Sequence, residues 1–285
     1  MKIKAAILGT GNIGTDLLLK ILKTNFIELV IFSGRRLDSD GMKIAKLKNI
    51  PVTDLGIDFF IKNPMCCDLV YDCTNAIDAK KHSMIFKNQK IKVIDLTPAK
   101  IGPMCVPSIN GDLIISEENI NMITCGGQAS IPLLHIISKH SSELEYIEVV
   151  SQISSKSAGM STRINIDDYI CTTQKAITQF TNCLNTKVIL NLNPAEPCVD
   201  MQTTMFIKTK NINFNGLAEK ITEKIKELKK FIPHYELILP PKEESGILIL
   251  GVKVKGVGDY LPSYAGNLDI INCAAIKVTE ELLKK

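Results

Sequence analysis

The chain has 285 residues, a formal net charge of +4, 45% hydrophobic and 22% charged residues. That length suits one large domain or two medium ones, and the composition is globular rather than disordered. The small positive balance has no long basic run behind it, which argues against nucleic acid or a membrane surface as a partner.

No apolar stretch approaches the roughly 20 residues of a spanning helix. Met1-Lys2-Ile3-Lys4 runs straight into a strand, so no cleavable leader is expected. Nine cysteines at irregular spacing, with no CxxC pair, fit a reduced cytoplasmic setting better than a disulfide framework.

Ile3–Leu8 is a short apolar run, followed by Gly9-Thr10-Gly11-Asn12-Ile13-Gly14 and then leucines at helical spacing over 15–23. A second apolar run, Ile27–Ser33, completes a βαβ unit of about 30 residues. In such a unit Gly9 permits the tight turn, Gly11 lets backbone approach a pyrophosphate, and Gly14 lets helix pack on strand. The helix N-terminus offers N–H groups and a positive dipole end to phosphates. A purely structural turn is the competing reading.

Strands at 68–73, 92–95 and 120–124, with a helix over 76–87, continue the rhythm of a doubly wound parallel sheet. Beyond residue 140 the pattern changes. Strands are predicted at 146–153, 187–192, 204–208 and Ile247–Val254, and helices near 166–184, Leu217–Leu228 and 272–283. This implies an α+β second domain. The organisation expected is a dinucleotide-binding domain over 1–130, a catalytic and dimerisation domain over 131–266, and a last segment, 267–285, packing back on the first domain. The lysine-rich stretch 220–230 carries Ile221, Ile225 and Leu228 at helical spacing and reads as an amphipathic surface helix.

Cys125 sits in Thr124-Cys125-Gly126-Gly127-Gln128, where a strand gives way to a helix. A helix N-terminus stabilises a thiolate, the paired glycines clear space for a carbonyl, and the local amides suit an oxyanion. A nucleotide fold with such a cysteine points to a hemithioacetal that yields hydride to nicotinamide and becomes a thioester. A buried core thiol is the alternative. His82, on a surface helix, and His135, His140 and His234 offer no evident base. The other cysteines lack metal-ligand spacing, so no metal is expected.

The run from Gly9 to Asp16, Thr124-Cys125-Gly126-Gly127-Gln128-Ala129, and Ser154-Ser155-Lys156-Ser157-Ala158-Gly159 followed by Thr162-Arg163 are similar to motifs of the acylating acetaldehyde dehydrogenases. So are Asn193-Pro194-Ala195-Glu196-Pro197 and the segment from Tyr260 to Ile270. Those enzymes partner 4-hydroxy-2-oxovalerate aldolases. The resemblance implies a Rossmann domain and a dimerisation domain of the semialdehyde dehydrogenase type. It implies Cys125 as the acyl-thioester residue. It further implies cofactor contacts at Thr10, Gly11, Asn12 and Ile13, along Ser157, Ala158, Gly159, Met160, Ser161, Thr162, Arg163, Ile164 and Asn165, and at Asn267 near the nicotinamide.

Three positions depart from that pattern. Where an acid usually follows the second strand, this chain has Ser33-Gly34-Arg35-Arg36, which favours NADP over NAD. Thr203 stands where the resembling enzymes carry an aspartate, with Asp200 three residues earlier, and Met160 replaces a proline. The expected activity is oxidation of a short aldehyde with NAD(P)+ and coenzyme A to an acyl-CoA, reversibly, in a cytoplasmic homodimer with an aldolase as a further partner. The rivals are a thioester reductase for another acyl carrier, a phosphate-dependent dehydrogenase, and an inactive dinucleotide sensor.

Overall fold

A computed structural model describes residues 2–284. They divide into two compact units. The first comprises Met1–Met122, Gly159–Asp168 and Ala275–Lys285; the second comprises Ile123–Ala158 and Tyr169–Ala274. The boundaries thus fall at 122/123 and 274/275, with an excursion at 159–168, beside the expected 130/131 and 266/267. Residues 123–139 cluster with the second unit because their helix packs on that unit's sheet.

The first unit runs β1 (Ile3–Leu8), α1 (Asn12–Ile21), β2 (Ile27–Ser33), α2 (Asp40–Leu47), β3 (Val52–Thr53), α3 (Ile57–Lys62), β4 (Leu69–Asp72), α4 (Ala76–Gln89), β5 (Lys92–Asp95), α5 (Pro107–Asn110) and β6 (Asn119–Asn121). Its sheet is parallel throughout, in the order β3-β2-β1-β4-β5-β6. That is the doubly wound Rossmann order, with its switch point between β1 and β4. Helices on both faces demand continuous apolar strands, and Ala5, Ala6, Ile7, Val70 and Ile94 are fully buried. Asn75 caps α4 by accepting from the amides of Ile77 and Asp78, both at 3.0 Å.

The chain continues with α6 (Cys125–Lys139), β7 (Ser141–Ser154), a single 3-10 turn, α7 (Met160–Ile164), α8 (Ile166–Thr181), β8 (Thr186–Asn193), β9 (Met201–Ile212), α9 (Leu217–Leu228), β10 (Tyr235–Glu244), β11 (Ile247–Val254) and α10 (Gly266–Leu282). The second sheet is mixed, ordered β10-β11-β9-β7-β8, with only β7 and β8 parallel. Along β9 burial alternates strictly: Met201, Thr203, Met205 and Ile207 are buried, and the residues between them half-exposed. α6 packs on β7, β9 and β11, and α9 packs on α6 through buried Leu217, Ile221, Ile225 and Leu228.

Several elements differ from expectation, three of them for a legible reason. β7 begins at Ser141 rather than 146; residues 141–145, polar but for Leu144, are held in the sheet by pairing with β9 and by the Glu143–Lys210 ion pair. β10 hid behind Pro240 and Pro241; it is an edge strand whose register breaks between Leu239 and Lys242, where prolines are tolerated. α10 starts at Gly266 rather than 272, with Gly266 pressed against the Val254 carbonyl, where no Cβ would fit.

Candidate active site

In the first unit the glycine motif forms the turn from β1 into α1. Gly9 has φ +111°, and a Cβ on it would strike the Cys73 carbonyl at 2.6 Å. A Cβ on Gly14 would collide with the Gly9 carbonyl oxygen. Gly11 differs: a Cβ there would meet nothing within 4 Å. It is the N-cap of α1 and, as glycine, brings no side chain of its own to that end. Open space at the amide end of a helix is what a pyrophosphate needs, so these residues fit a dinucleotide.

Two further segments of the same unit meet this turn. Gly159 lies beside Asn12, and Ser161 donates to the Thr74 carbonyl at 2.6 Å. Asn165 is buried and donates to the Ser161 carbonyl at 2.6 Å. The structure therefore gathers Gly9 to Gly14, Gly159 and Ser161 around one helix start. Met160, Arg163 and Ile164 face solvent, Thr162 is half-buried, and Ser157 and Ala158 belong to the second unit.

After β2, Arg35 and Arg36 are both exposed. The Arg36 guanidinium donates to Asp38 at 3.1 and 3.4 Å and holds that carboxyl below its usual range. Ser33, a further candidate donor, is fully buried and spends its hydroxyl on the Gly56 carbonyl at 2.9 Å. Thr10 backs onto Gly34, and its hydroxyl lies 3.5 Å from that of Ser39, the N-cap of α2.

In the second unit Cys125 is the first residue of α6, half-buried, with Thr124 as the N-cap. Its Sγ lies 3.6 Å from the hydroxyl of Tyr169, a residue of α8 that no sequence motif marks. Tyr169 Oη accepts from the Gly126 amide at 2.9 Å and hydrogen-bonds Ser151. Ser151 Oγ is 3.0 Å from Thr203 Oγ1 across the β7–β9 register. One turn along α8, Thr173 donates to the Tyr169 carbonyl and meets Thr124, each at 2.7 Å. The signal available in the sequence was the one-turn spacing of Tyr169 and Thr173 on an amphipathic helix, which names no partner.

This geometry corrects three expectations. The glycines do not clear room for a substrate carbonyl: a Cβ on Gly126 would run into the Tyr169 hydroxyl and come within 2.7 Å of Ser151 Oγ, and one on Gly127 would strike Ile123. Nor do their amides await an oxyanion, since Gly126 N–H serves Tyr169 and Gly127 N–H serves Thr124 Oγ1 at 2.9 Å. Lastly, burial pushes the Cys125 thiol up, outweighing the lowering by Tyr169 and the local amides. The resting group is a thiol.

His82 is not on a surface face. It is buried, with Nδ1 at 2.8 Å from Asp72. His135 and His140 bond the carbonyls of Phe180 and Ile136, and His234 is exposed. Asp200 stands 3.9 Å from Lys255. Asn267 lies in the first turn of α10, and its Oδ1 is buried without a partner, an open acceptor that a carboxamide N–H would satisfy. Among the described residues no group of His, Cys, Asp and Glu is placed to hold a metal, and no helix is long and apolar enough to cross a membrane.

Comparison with known proteins bears on both units. Residues 4–116 match the semialdehyde dehydrogenase NAD-binding domain, and residues 125–262 match the prokaryotic acetaldehyde dehydrogenase dimerisation domain. The chain is 50% identical to an acetaldehyde dehydrogenase of Spirochaeta aurantia, over 99% of this chain and 95% of the relative. It is 48% identical to one of Pectobacterium atrosepticum over 98% and 95%. An aspartate semialdehyde dehydrogenase II of Vibrio cholerae shares the fold, at TM-score 0.69 and 13% identity over 100% of this chain and 99% of that one. With a Rossmann unit, a dimerisation domain and near-full-length relatives of one kind, the chain belongs to the acetaldehyde dehydrogenase family of NAD-binding oxidoreductases.

Proposed function

We propose that this protein oxidises a short aldehyde to an acyl thioester on Cys125 and passes the acyl group to coenzyme A. The observation that carries the reading is Cys125 itself, a half-buried thiol at the start of α6 with a hydroxyl on its sulfur. Addition of the thiol across the aldehyde C=O gives a hemithioacetal. NAD(P)+ supplies the hydride acceptor, and a proton is released as the carbon becomes a thioester. The thiol of coenzyme A then displaces Cys125, so the thioester bond is exchanged rather than hydrolysed. The open backbone at Gly11, together with Gly159 and Ser161, would hold the dinucleotide.

NADP is the favoured form of the cofactor on this reading, because no acid closes β2 and Arg35 is exposed there. Homodimerisation, a cytoplasmic location and an aldolase partner complete the proposal; the aldolase rests on family resemblance alone. Cys125→Ser tests the core of it. Turnover with coenzyme A should vanish while dinucleotide affinity stays within about twofold, since a serine hydroxyl is a far weaker nucleophile at neutral pH. Intact mass during turnover should show an acyl adduct on the wild type only. Full activity of the serine variant, or phosphate replacing coenzyme A as acceptor, would overturn it.

A further inference from the structure

We infer that Tyr169 is the group that activates Cys125, at the head of a chain of neutral hydroxyls running through Ser151 to Thr203. The inference rests on the reading of Cys125 as nucleophile and adds the partner which that reading lacks.

The Tyr169 hydroxyl is 3.6 Å from Sγ and is fixed from a second side by the Gly126 amide at 2.9 Å. Ser151 bonds it from a third direction, and Thr203 lies 3.0 Å beyond. Tyr169, Ser151 and Thr203 are all buried. The missing Cβ of Gly126 is what allows the two hydroxyls to close on the helix start.

No carboxylate, imidazole or ammonium group is among the leading influences on this cluster. The influences on Cys125 are burial, Tyr169, the Gly126 amide and its own amide; those on Tyr169 are burial, Cys125, Gly126 and Ser151. Asp167 and Asp168 in the first turn of α8, Lys139 at the far end of α6 and Lys156 after β7 are not among those influences, and β9 brings Thr203 to the cluster. The contacts that tune the thiol are a phenol hydroxyl and backbone amides.

Hydroxyls both donate and accept, so the chain can reverse. With the thiol protonated, Tyr169 accepts at sulfur and donates to Ser151. When the S–H bond breaks, the electron pair stays on sulfur and the proton leaves to water, Cys125 being only partly buried as a residue. Tyr169 then turns its own proton onto the thiolate and accepts from Ser151, which accepts from Thr203. Tyr169 stays neutral throughout, in keeping with burial holding its phenol well above the usual range.

The test is the pH dependence of alkylation at Cys125 by iodoacetamide, followed on its own peptide, in wild type, Tyr169→Phe and Ser151→Ala. Loss of a donor to the thiolate should raise the apparent thiol pKa by about one unit in Tyr169→Phe, a tenfold slower reaction below that pKa. Ser151→Ala should shift it the same way by less, and the acid limb of kcat/KM should move in step. A structural role alone would change melting temperature without moving either profile. An unchanged thiol pKa in Tyr169→Phe, or in Ser151→Ala where the first variant fails to fold, overturns the inference. Alkylation needs no substrate, so this result is independent of turnover by Cys125→Ser, which judges the function itself.

Discussion

At the scale of single residues, the ribose loop carries the sharpest difference between what a motif suggests and what its atoms do. Arg36 is already engaged by Asp38, and that carboxylate would also repel a 2′-phosphate. Arg35 has no such ion-pair partner among the described residues, but it is exposed, where pairing is screened. A charge-assisted hydrogen bond contributes about 1.5–3 kcal/mol, and exposure takes this contact to the low end of that range. Replacing both Arg35 and Arg36 by alanine should therefore lower kcat/KM with NADP about tenfold and leave NAD nearly unchanged. Steady-state kinetics with the two cofactors decides it. A wild-type preference for NAD, unaltered in the double variant, would reduce both arginines to solvated loop charges.

Among the elements, β4 and β5 end side by side on aspartates. Asp72 and Asp95 are register partners, both buried. Asp95 accepts from the Thr97 amide at 2.8 Å and from Asn121 at 3.1 Å; Asp72 accepts from Thr74 and pairs with His82. Burial first, and then the charge of Asp72, push Asp95 up to about 7. The sign follows from linkage: the folded state keeps this proton to about pH 7, while the unfolded chain sheds it near pH ~4. The stability this group contributes is thus complete below the unfolded value and is lost as pH rises through about 7. Melting curves should show Asp95→Asn gaining on the wild type between pH 5 and pH 8. A difference that is flat or shrinks with pH would contradict the pairing. None of this was visible in the sequence, where both acids closed ordinary strands; parallel pairing in register brought them together.

For the molecule as a whole, self-association is predicted on the second sheet, within the residues that match a dimerisation domain. α6 covers one face, and on the other Val150, Phe206 and Ile249 are half-exposed, with Phe206 paired across to Glu148 and Ile249. Phe206→Glu should turn a dimer into a monomer in light scattering at micromolar concentration, because it plants a charge in an apolar contact. A dimer that survives it places the interface elsewhere. The sequence by itself determined the Rossmann half, since its glycines, apolar strands and helix starts are local signals tied to steric needs within about 30 residues. It also marked Cys125 and the amphipathic helix Leu217–Leu228, through residue type and spacing. Only the tertiary structure decided the setting of the thiol. Tyr169, Ser151 and Thr203 come from α8, β7 and β9, and no local pattern reports that three hydroxyls 18 to 52 positions apart meet. Burial, which fixes whether Cys125 rests as thiol or thiolate, is likewise a property of everything packed around it rather than of its neighbours in the chain.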